Sequence, residues 1–259
     1  MKIVPVEQMD RGLAYGEACF ETFRVIDGAV FDWAGHWQRL MAGLSVFGVQ
    51  FDEEQGEQVR LACLEKTGRT GSDSLVRLTI TAGEAGWGLL NRAEEPLVHI
   101  QSMPYCSDHS PIALRLKRWP FPLKEKRAKF TADYAETSRL LRGEKDLHLL
   151  FEQDGMLMAA ATANILLFRD GAWHTPMADA GVLAGRVRDF FMRKGLVHES
   201  PCPLSWLDDC EAAVLCNSGM FIRAVSDISN VQRVEAMRTE HAAISLLMET
   251  LSQEEGVQI

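Results

Sequence analysis

Apolar residues alternate with polar ones, or recur every three to four positions, along most of this chain, and the switches between the two rhythms mark its elements. Three stretches of alternation are each interrupted by Asp-Gly, at Asp27-Gly28, Asp154-Gly155 and Asp170-Gly171. Asp-Gly suits the two-residue hairpin turn, whose central positions need positive φ. Residues 20–26 are therefore expected to pair with 29–33, residues 147–152 with 156–158 and beyond, and residues 165–169 with 172–174. Between the hairpins the period is helical. Trp37, Leu40, Leu44 and Phe47 fall on one stripe of a helix over 34–47. Asp52 is placed to cap a helix that runs to Lys66, with Gly68 past its end and the acidic run 53–57 in its solvated first turns. Strands are expected over 74–81, 96–103, 112–117, 212–216 and 221–228, and helices over 131–141, 185–194 and 236–251. Ile244, Leu247 and Leu251 give the last helix its apolar stripe.

Hairpins, helices and hairpins again do not make a clean β-α-β alternation, so a doubly wound parallel sheet is disfavoured. An α+β chain in two lobes fits better. The polar, proline-flanked stretch 104–111 suggests lobes over 1–105 and 112–259 joined by a linker over 106–111.

Composition narrows the class. The 259 residues are 47% hydrophobic and 24% charged, which is globular and neither disordered nor collagen-like. Lys and Arg total 27 against 36 Asp and Glu, a formal charge of −9. With no basic run, neither nucleic acid nor an anionic membrane is an expected partner. Any anion must be held by a few placed groups. The six cysteines form no CxxC pair, and their spacing around His198 matches no zinc signature, so no metal is expected. The opening residues are too few and too soon acidic for a signal peptide, and no apolar run reaches ~18 residues. A cytoplasmic location with reduced, buried thiols is the expectation.

Common chemical motifs are missing. There is no GxxxxGK[ST], no GxGxxG after a strand, no HExxH and no GxSxG. What remains is Gly181-Val182-Leu183-Ala184-Gly185, which leads directly into a predicted helix. Exposed N–H groups at such a helix start suit a phosphate, although the same glycines would also serve a tight strand-to-helix turn. Arg39, three residues after His36, reads on spacing alone as either a rim arginine or an anion partner. Trp33, Trp37, Phe47 and Phe51 read as core, and His36 as a residue that orients structure.

Taken together, Arg11-Gly12-Leu13-Ala14-Tyr15-Gly16-Glu17-Ala18-Cys19-Phe20-Glu21-Thr22 and the run on through Asp27-Gly28 resemble the opening motif of the class IV aminotransferases, the fold-type IV pyridoxal-phosphate enzymes. Further blocks in the same order strengthen the resemblance: His36-Trp37-Gln38-Arg39-Leu40, Asp154-Gly155, Ala163-Asn164-Ile165, Thr175-Pro176, Gly181–Arg188 and Leu215-Cys216-Asn217-Ser218. They span about residues 10–228. The Cys-Phe block and the short length make 4-amino-4-deoxychorismate lyase the most similar branch. The resemblance implies a two-domain α+β subunit like those of D-amino-acid and branched-chain aminotransferases. It also implies a homodimer, a small amino substrate, and pyridoxal 5'-phosphate bound between domains. It makes Lys129 the lysine that joins the cofactor aldehyde as an imine and then shuttles protons. Lys124 and Lys126 are neighbouring alternatives in a charged run that reads as loop. It assigns Arg39 to the cofactor phosphate, with the amides around Arg186 and Val187 and, more weakly, Asn217 and Ser218. Thr22 would help position substrate or protons.

The sequence also departs from the pattern. The family's ring-nitrogen glutamate, four residues after the hairpin glycine, falls on Ala159, and no acid lies between Asp154 and Asp170. Such a glutamate keeps the pyridine nitrogen protonated, so its loss weakens the ring as an electron acceptor. Met156 and Met158 beside it read as packing or as ring contacts. The turn 81–88 lacks the family's carboxylate-binding arginines; Trp87 takes one such place, and Glu84 would repel a carboxylate. Phe130 and Ala132 replace polar residues after Lys129. A lyase yielding 4-aminobenzoate and pyruvate for folate synthesis is the leading expectation. An aminotransferase for D- or branched-chain amino acids, and a member with lost or changed cofactor chemistry, are the alternatives.

Overall fold

The computed structural model describes residues 7–67, 73–124, 128–143, 148–178, 181–229, 231 and 237–257. Gly68, Lys126, Leu147 and Ala236, which the sequence reading used, lie outside the described residues. The chain forms two compact units, Met1–Pro104 with Arg127–Ala135, and Tyr105–Lys126 with Glu136–Ile259. The sequence reading kept 112–259 together, whereas the contacts group Arg127–Ala135 with the first unit.

The first unit opens with β1 (Met9–Asp10) and a short α1 (Arg11–Tyr15), followed by β2 (Ala18–Ile26), β3 (Ala29–Val30), α2 (Trp33–Leu44) and α3 (Glu53–Lys66). Strands β4 (Ser74–Thr81), β5 (Glu84–Ala85) and β6 (Leu97–Pro104) complete its regular structure. Its main sheet runs β3-β2-β4-β6 and is antiparallel throughout; β5 pairs with β1. Asp27 and Gly28 both take positive φ, as the hairpin turn demands. The return strand is shorter than expected, because Asp32 is left-handed and Trp33 already starts α2. A capping box starts α3: the Asp52 carboxylate accepts from the Gln55 N–H at 2.8 Å, and the Gln55 side-chain carbonyl accepts from the Asp52 N–H at 3.0 Å. Phe23, Val25, Val76, Leu78 and Ile80 meet Leu40 and Leu44 of α2 in the core, with Trp33, Trp37, Phe47 and Phe51 packed around them.

The shortness of β3 has a structural consequence. It covers only Val25 and Ile26, so the edge of β2 at Cys19 and Phe20 is open. The segment 129–130 takes that edge: the Phe20 N–H donates to the Lys129 carbonyl at 3.0 Å, and Cys19 and Phe130 form an antiparallel bridge. Gly43 of α2 permits the approach, since a Cβ there would lie 2.6 Å from the Ala128 Cβ and 2.7 Å from the Cys19 Sγ.

The second unit holds β7 (Ile112–Arg118), most of α4 (Tyr134–Leu141), β8 (Leu149–Gln153), β9 (Met156–Ala160), β10 (Asn164–Arg169) and β11 (Ala172–Pro176). It continues with α5 (Arg186–Arg193), β12 (Val197–Ser200), α6 (Trp206–Asp209), β13 (Ala212–Asn217), β14 (Phe221–Ser229) and α7 (Ala242–Ser252). Its eight strands run β12-β11-β10-β13-β14-β7-β8-β9. The pairs β11/β12, β14/β7 and β7/β8 are parallel, and the rest antiparallel. The last helix starts at Ala242, later than expected, because His241 caps it by accepting the Ala243 N–H. Ile244, Leu247 and Leu251 are its buried stripe, as the spacing predicts. Among the described residues, no helix is long and apolar enough to cross a membrane.

One contact fixes the loop before α5. Asn164 at the start of β10 donates to the Leu183 carbonyl at 2.9 Å, and a Cβ on Gly185 would lie 2.0 Å from the Asn164 Oδ1. Gly185→Ala should therefore destabilise the second unit by about 1–3 kcal/mol in denaturant unfolding. The Asn164→Ala/Gly185→Ala pair should cost no more than Asn164→Ala alone. Additive costs would show that the close approach is not the constraint.

Candidate active site

Lys129 is held by its own main chain against β2, and its side chain is half-buried. Its Nζ lies 5.3 Å from the centre of the Phe20 ring. Among the described residues, no hydrogen bond or ion pair is formed by this ammonium group. The same ring carries two more neighbours. The Arg77 guanidinium carbon sits 3.7 Å from its centre, and Tyr134 meets it edge-on with centroids 4.8 Å apart. Lys124, the alternative amine, is exposed and paired with Glu136 at 3.0 Å.

Beneath this group lies a buried charge network. Glu21, on β2 next to Phe20, is 1% exposed. Its Oε1 accepts from Arg39 Nε at 2.7 Å, and its Oε2 accepts from Arg39 Nη2 at 2.6 Å. His36, one turn earlier on α2, places Nδ1 2.7 Å from the same Oε2. Burial alone would raise the Glu21 carboxyl, but the Arg39 charge and the two hydrogen-bonding partners outweigh it and hold it well below the usual carboxylate range. Burial dominates at His36 and pushes it down, against the pull of Glu21. A neutral His36 beside an ionised carboxylate must carry its proton on Nδ1. Its Nε2 is then a buried acceptor, and no donor reaches it among the described residues. At Lys129, burial lowers the amine to about 8; Arg39 and Arg77 add to the lowering and Glu21 opposes it. Burial raises Tyr134 to about 12, so it stays a neutral phenol.

Thr22 is half-buried on β2, directly across from Arg77 of β4. Strand alternation puts Phe20, Thr22 and Arg77 on one face of the sheet, with Glu21 and Phe23 on the other. Arg39 is not a rim residue: it is 7% exposed and its fork is engaged by Glu21. The sequence reading passed over Glu21, Arg77 and Tyr134. Glu21 had a visible signal, the one acid in a strand, Ala18–Ile26, whose other polar positions are Thr22 and Arg24. Arg77 interrupts β4 in the same way.

The second unit contains the remaining expected residues. Val187 of α5 is fully buried, and Arg186 pairs with Asp189 at 3.1 Å. Among the described residues, no side chain caps the start of α5, whose N-cap is Gly185. Arg188 is 2% exposed and is held by Glu199, Asp189 and the Pro176 carbonyl. Asn217 is committed to its own turn: its Oδ1 accepts from the Gly219 and Met220 N–H groups at 2.8 Å each, and its Nδ2 donates to the Thr162 carbonyl at 3.0 Å. Ser218 is buried beside it. Ala159 on β9 is half-buried and packs against the cluster of Trp119, Leu149, Phe151, Met158 and Val182. In the first unit, Trp87 is 98% exposed and therefore contributes nothing to that unit's core.

A family model described as amino-transferase class IV matches residues 18–228. A Methanocaldococcus jannaschii protein with the provisional name branched-chain-amino-acid aminotransferase is 23% identical over 209 residues, 74% of this chain and 70% of that protein. A Legionella pneumophila crystal structure, provisionally named 4-amino-4-deoxychorismate lyase, superposes with a TM-score of 0.78 at 22% identity, covering 97% of this chain and 96% of that one. The pyridoxal-phosphate-bound form of a hypothetical aminotransferase from Mycobacterium tuberculosis gives a TM-score of 0.77 at 17% identity, covering 96% and 92%.

The electrostatics of Lys129 lead to a direct expectation. Only the unprotonated amine reacts with acetic anhydride. Acetylation of Lys129, followed by peptide mass spectrometry, should rise through pH about 8. Exposed lysines should follow near the ordinary value of ~10.4. A Lys129 profile that coincides with theirs would contradict this environment.

Proposed function

We propose that this chain, which belongs to the amino-transferase class IV family of pyridoxal-phosphate enzymes, is a lyase that splits 4-amino-4-deoxychorismate into 4-aminobenzoate and pyruvate. The observation that carries the reading is Ala159. It lies in an apolar cluster on β9 at the family's ring-carboxylate position, and no acidic residue occurs between Asp154 and Asp170.

The residues fit the cofactor in two respects and not in a third. The first unit offers an amine that sheds its proton near neutral pH, as a carbonyl partner must. The second unit offers the uncapped start of α5, where the amides of Arg186 and Val187 suit a phosphate, with Ser218 as a hydroxyl donor. Asn217 serves by shaping the Ser218 turn. Neither unit offers a carboxylate for the ring nitrogen at the expected place. When bound, pyridoxal phosphate supplies an aldehyde and an electron-accepting ring.

The missing carboxylate separates the candidate reactions. Amino-group exchange depends throughout on a strong electron acceptor. In the lyase reaction the substrate ring loses a proton, the C–O bond to its three-carbon side chain breaks, and the ring becomes aromatic. Aromatisation supplies the driving force, so a weaker acceptor is tolerated. Lys129 is the proposed catalytic residue, taking the ring proton at Nζ and returning one to the departing side chain. Arg77, a cation over Phe20, is suited to a substrate carboxylate, and the Thr22 hydroxyl to the position across from it. Arg39, engaged by Glu21, is assigned to the charge balance of the site. The Methanocaldococcus likeness favours the aminotransferase as a second reading.

Adding pyridoxal phosphate to the protein and reducing with borohydride should leave a mass adduct on the peptide bearing Lys129. The protein should then form 4-aminobenzoate and pyruvate in equal amounts, and exchange amino groups with keto acids at least tenfold more slowly. An adduct with fast exchange and no 4-aminobenzoate would establish the aminotransferase. No adduct on Lys129 would remove the lyase reading altogether, as would lyase activity that appears only in Ala159→Glu.

A further inference from the structure

Phe20 is buried, at 5% exposure, yet it stands apart from the core cluster that Phe23, Val25, Val76, Leu78 and Ile80 form with α2. Strand alternation turns its ring to the other face of the sheet. Polar groups cover it there: the Arg77 guanidinium carbon at 3.7 Å from its centre, the Tyr134 ring at 4.8 Å and the Lys129 Nζ at 5.3 Å. Arg77 has no counter-charge beside it in the sheet. The pairing of β4 sets it opposite Thr22 on β2 and Gln101 on β6, both uncharged. Its Nε donates to the Thr79 hydroxyl at 3.4 Å. Among the described residues, no carboxylate engages it and neither terminal nitrogen has a hydrogen-bond partner. A guanidinium carbon at 3.7 Å is at stacking distance, nearer than an N–H aimed into the ring would bring it. Both terminal nitrogens therefore keep their hydrogens clear of the ring.

We propose that Phe20 is a positioning residue for Arg77: its ring face holds the guanidinium where a counter-ion would otherwise do so, and leaves the two terminal nitrogens open to a carboxylate, a role that rests on the reading of Arg77 as the partner of the substrate carboxylate. The use of an aromatic has a chemical reason. An acidic residue beside Arg77 would fix it more firmly, but it would occupy the same fork that the substrate needs and would have to be displaced. A π face attracts the cation through its quadrupole and uses none of the in-plane donors. Arg77 is otherwise an exposed, long side chain, and a ring that confines it in advance reduces the freedom lost when a carboxylate binds. The Phe20 main chain has a separate task, because its N–H holds the Lys129 carbonyl. A side-chain substitution leaves that bond in place, so the effect of losing the ring falls on Arg77.

The test is a double-mutant cycle on the binding of 4-aminobenzoate to the full-length protein, dialysed against hydroxylamine to strip carbonyl groups from lysine and followed by NMR titration. Phe20→Leu should raise the dissociation constant about fivefold, and Arg77→Gln at least as much. In the Arg77→Gln background, Phe20→Leu should add nothing, whereas a merely structural role would cost the same in both backgrounds. Phe20→Tyr, which keeps the ring face, should stay within about twofold of the wild type. Should Phe20→Leu fail to fold, Phe20→Met takes its place, with similar volume and no ring. Equal losses in both backgrounds, an unchanged constant in folded Phe20→Leu or Phe20→Met, or a wild-type protein that does not bind the carboxylate would each overturn the proposal. The readout needs no turnover, so the lyase reading fails separately: a wild-type protein that shows the full coupling but forms no 4-aminobenzoate from substrate would lose that reading and keep this one.

Discussion

The main-chain hydrogen bond from Phe20 to Lys129 places an amine beside a charged, largely buried cluster, and much of the first unit can be traced back to it. It exists because β3 ends after two residues and leaves the edge of β2 open at that point. A longer β3 would pair with Phe20 itself. The segment after Ala128 could then approach only over the face of the sheet. A small residue at Gly43 lets α2 lie close enough to bury Ala128. The side chain of Lys129 is thereby brought over Phe20, next to charges from three other elements.

Burying that many charges is costly, and the network lessens the cost by sharing. A lone carboxylate in the position of Glu21 would be neutral at physiological pH, because desolvation penalises the ion by several kcal/mol. Bidentate contact with Arg39 reverses that preference. The reversal carries its own risk: a buried ion pair that loses one partner is worse than an apolar pair, often by about 3–5 kcal/mol. Glu21 and Arg39 therefore have to be kept or lost together. His36 adds a constraint of a different kind. It ties α2 to β2 through one ring nitrogen and leaves the other without a donor among the described residues.

The periodic part of this architecture was legible in the sequence. The three Asp-Gly hairpins, the capping box at Asp52 and the stripe on the last helix all rest on local physics, and local physics is written in neighbouring residues. Lys129, Arg39 and Ala159 were singled out only because several weak blocks in a fixed order resembled a family. Spacing alone left Arg39 as either a rim residue or a ligand. What could not be read was the pairing of 129–130 with β2, since nothing near Lys129 points to a strand edge more than a hundred residues earlier. Arg77 and Tyr134 were missed for the same reason: they matter through a shared contact with Phe20, which no period in the sequence encodes. The early start assigned to the last helix had another source. Helical spacing cannot show that a histidine further along will terminate the turn by capping.

The grouping of Arg127–Ala135 with the first unit also has a bearing on how the protein is made. A ribosome that has released the chain through Pro104 has released a four-stranded sheet whose β2 edge is still unpaired at Phe20. The buried carboxylate is in place by then, but the amine beside it is not. Only after a further stretch has been translated, including the first strand of the other unit, can the missing piece return. The first unit thus stays open at this edge until residues 127–135 have been made, at a point where the strands that pair with β7 in the other unit do not yet exist.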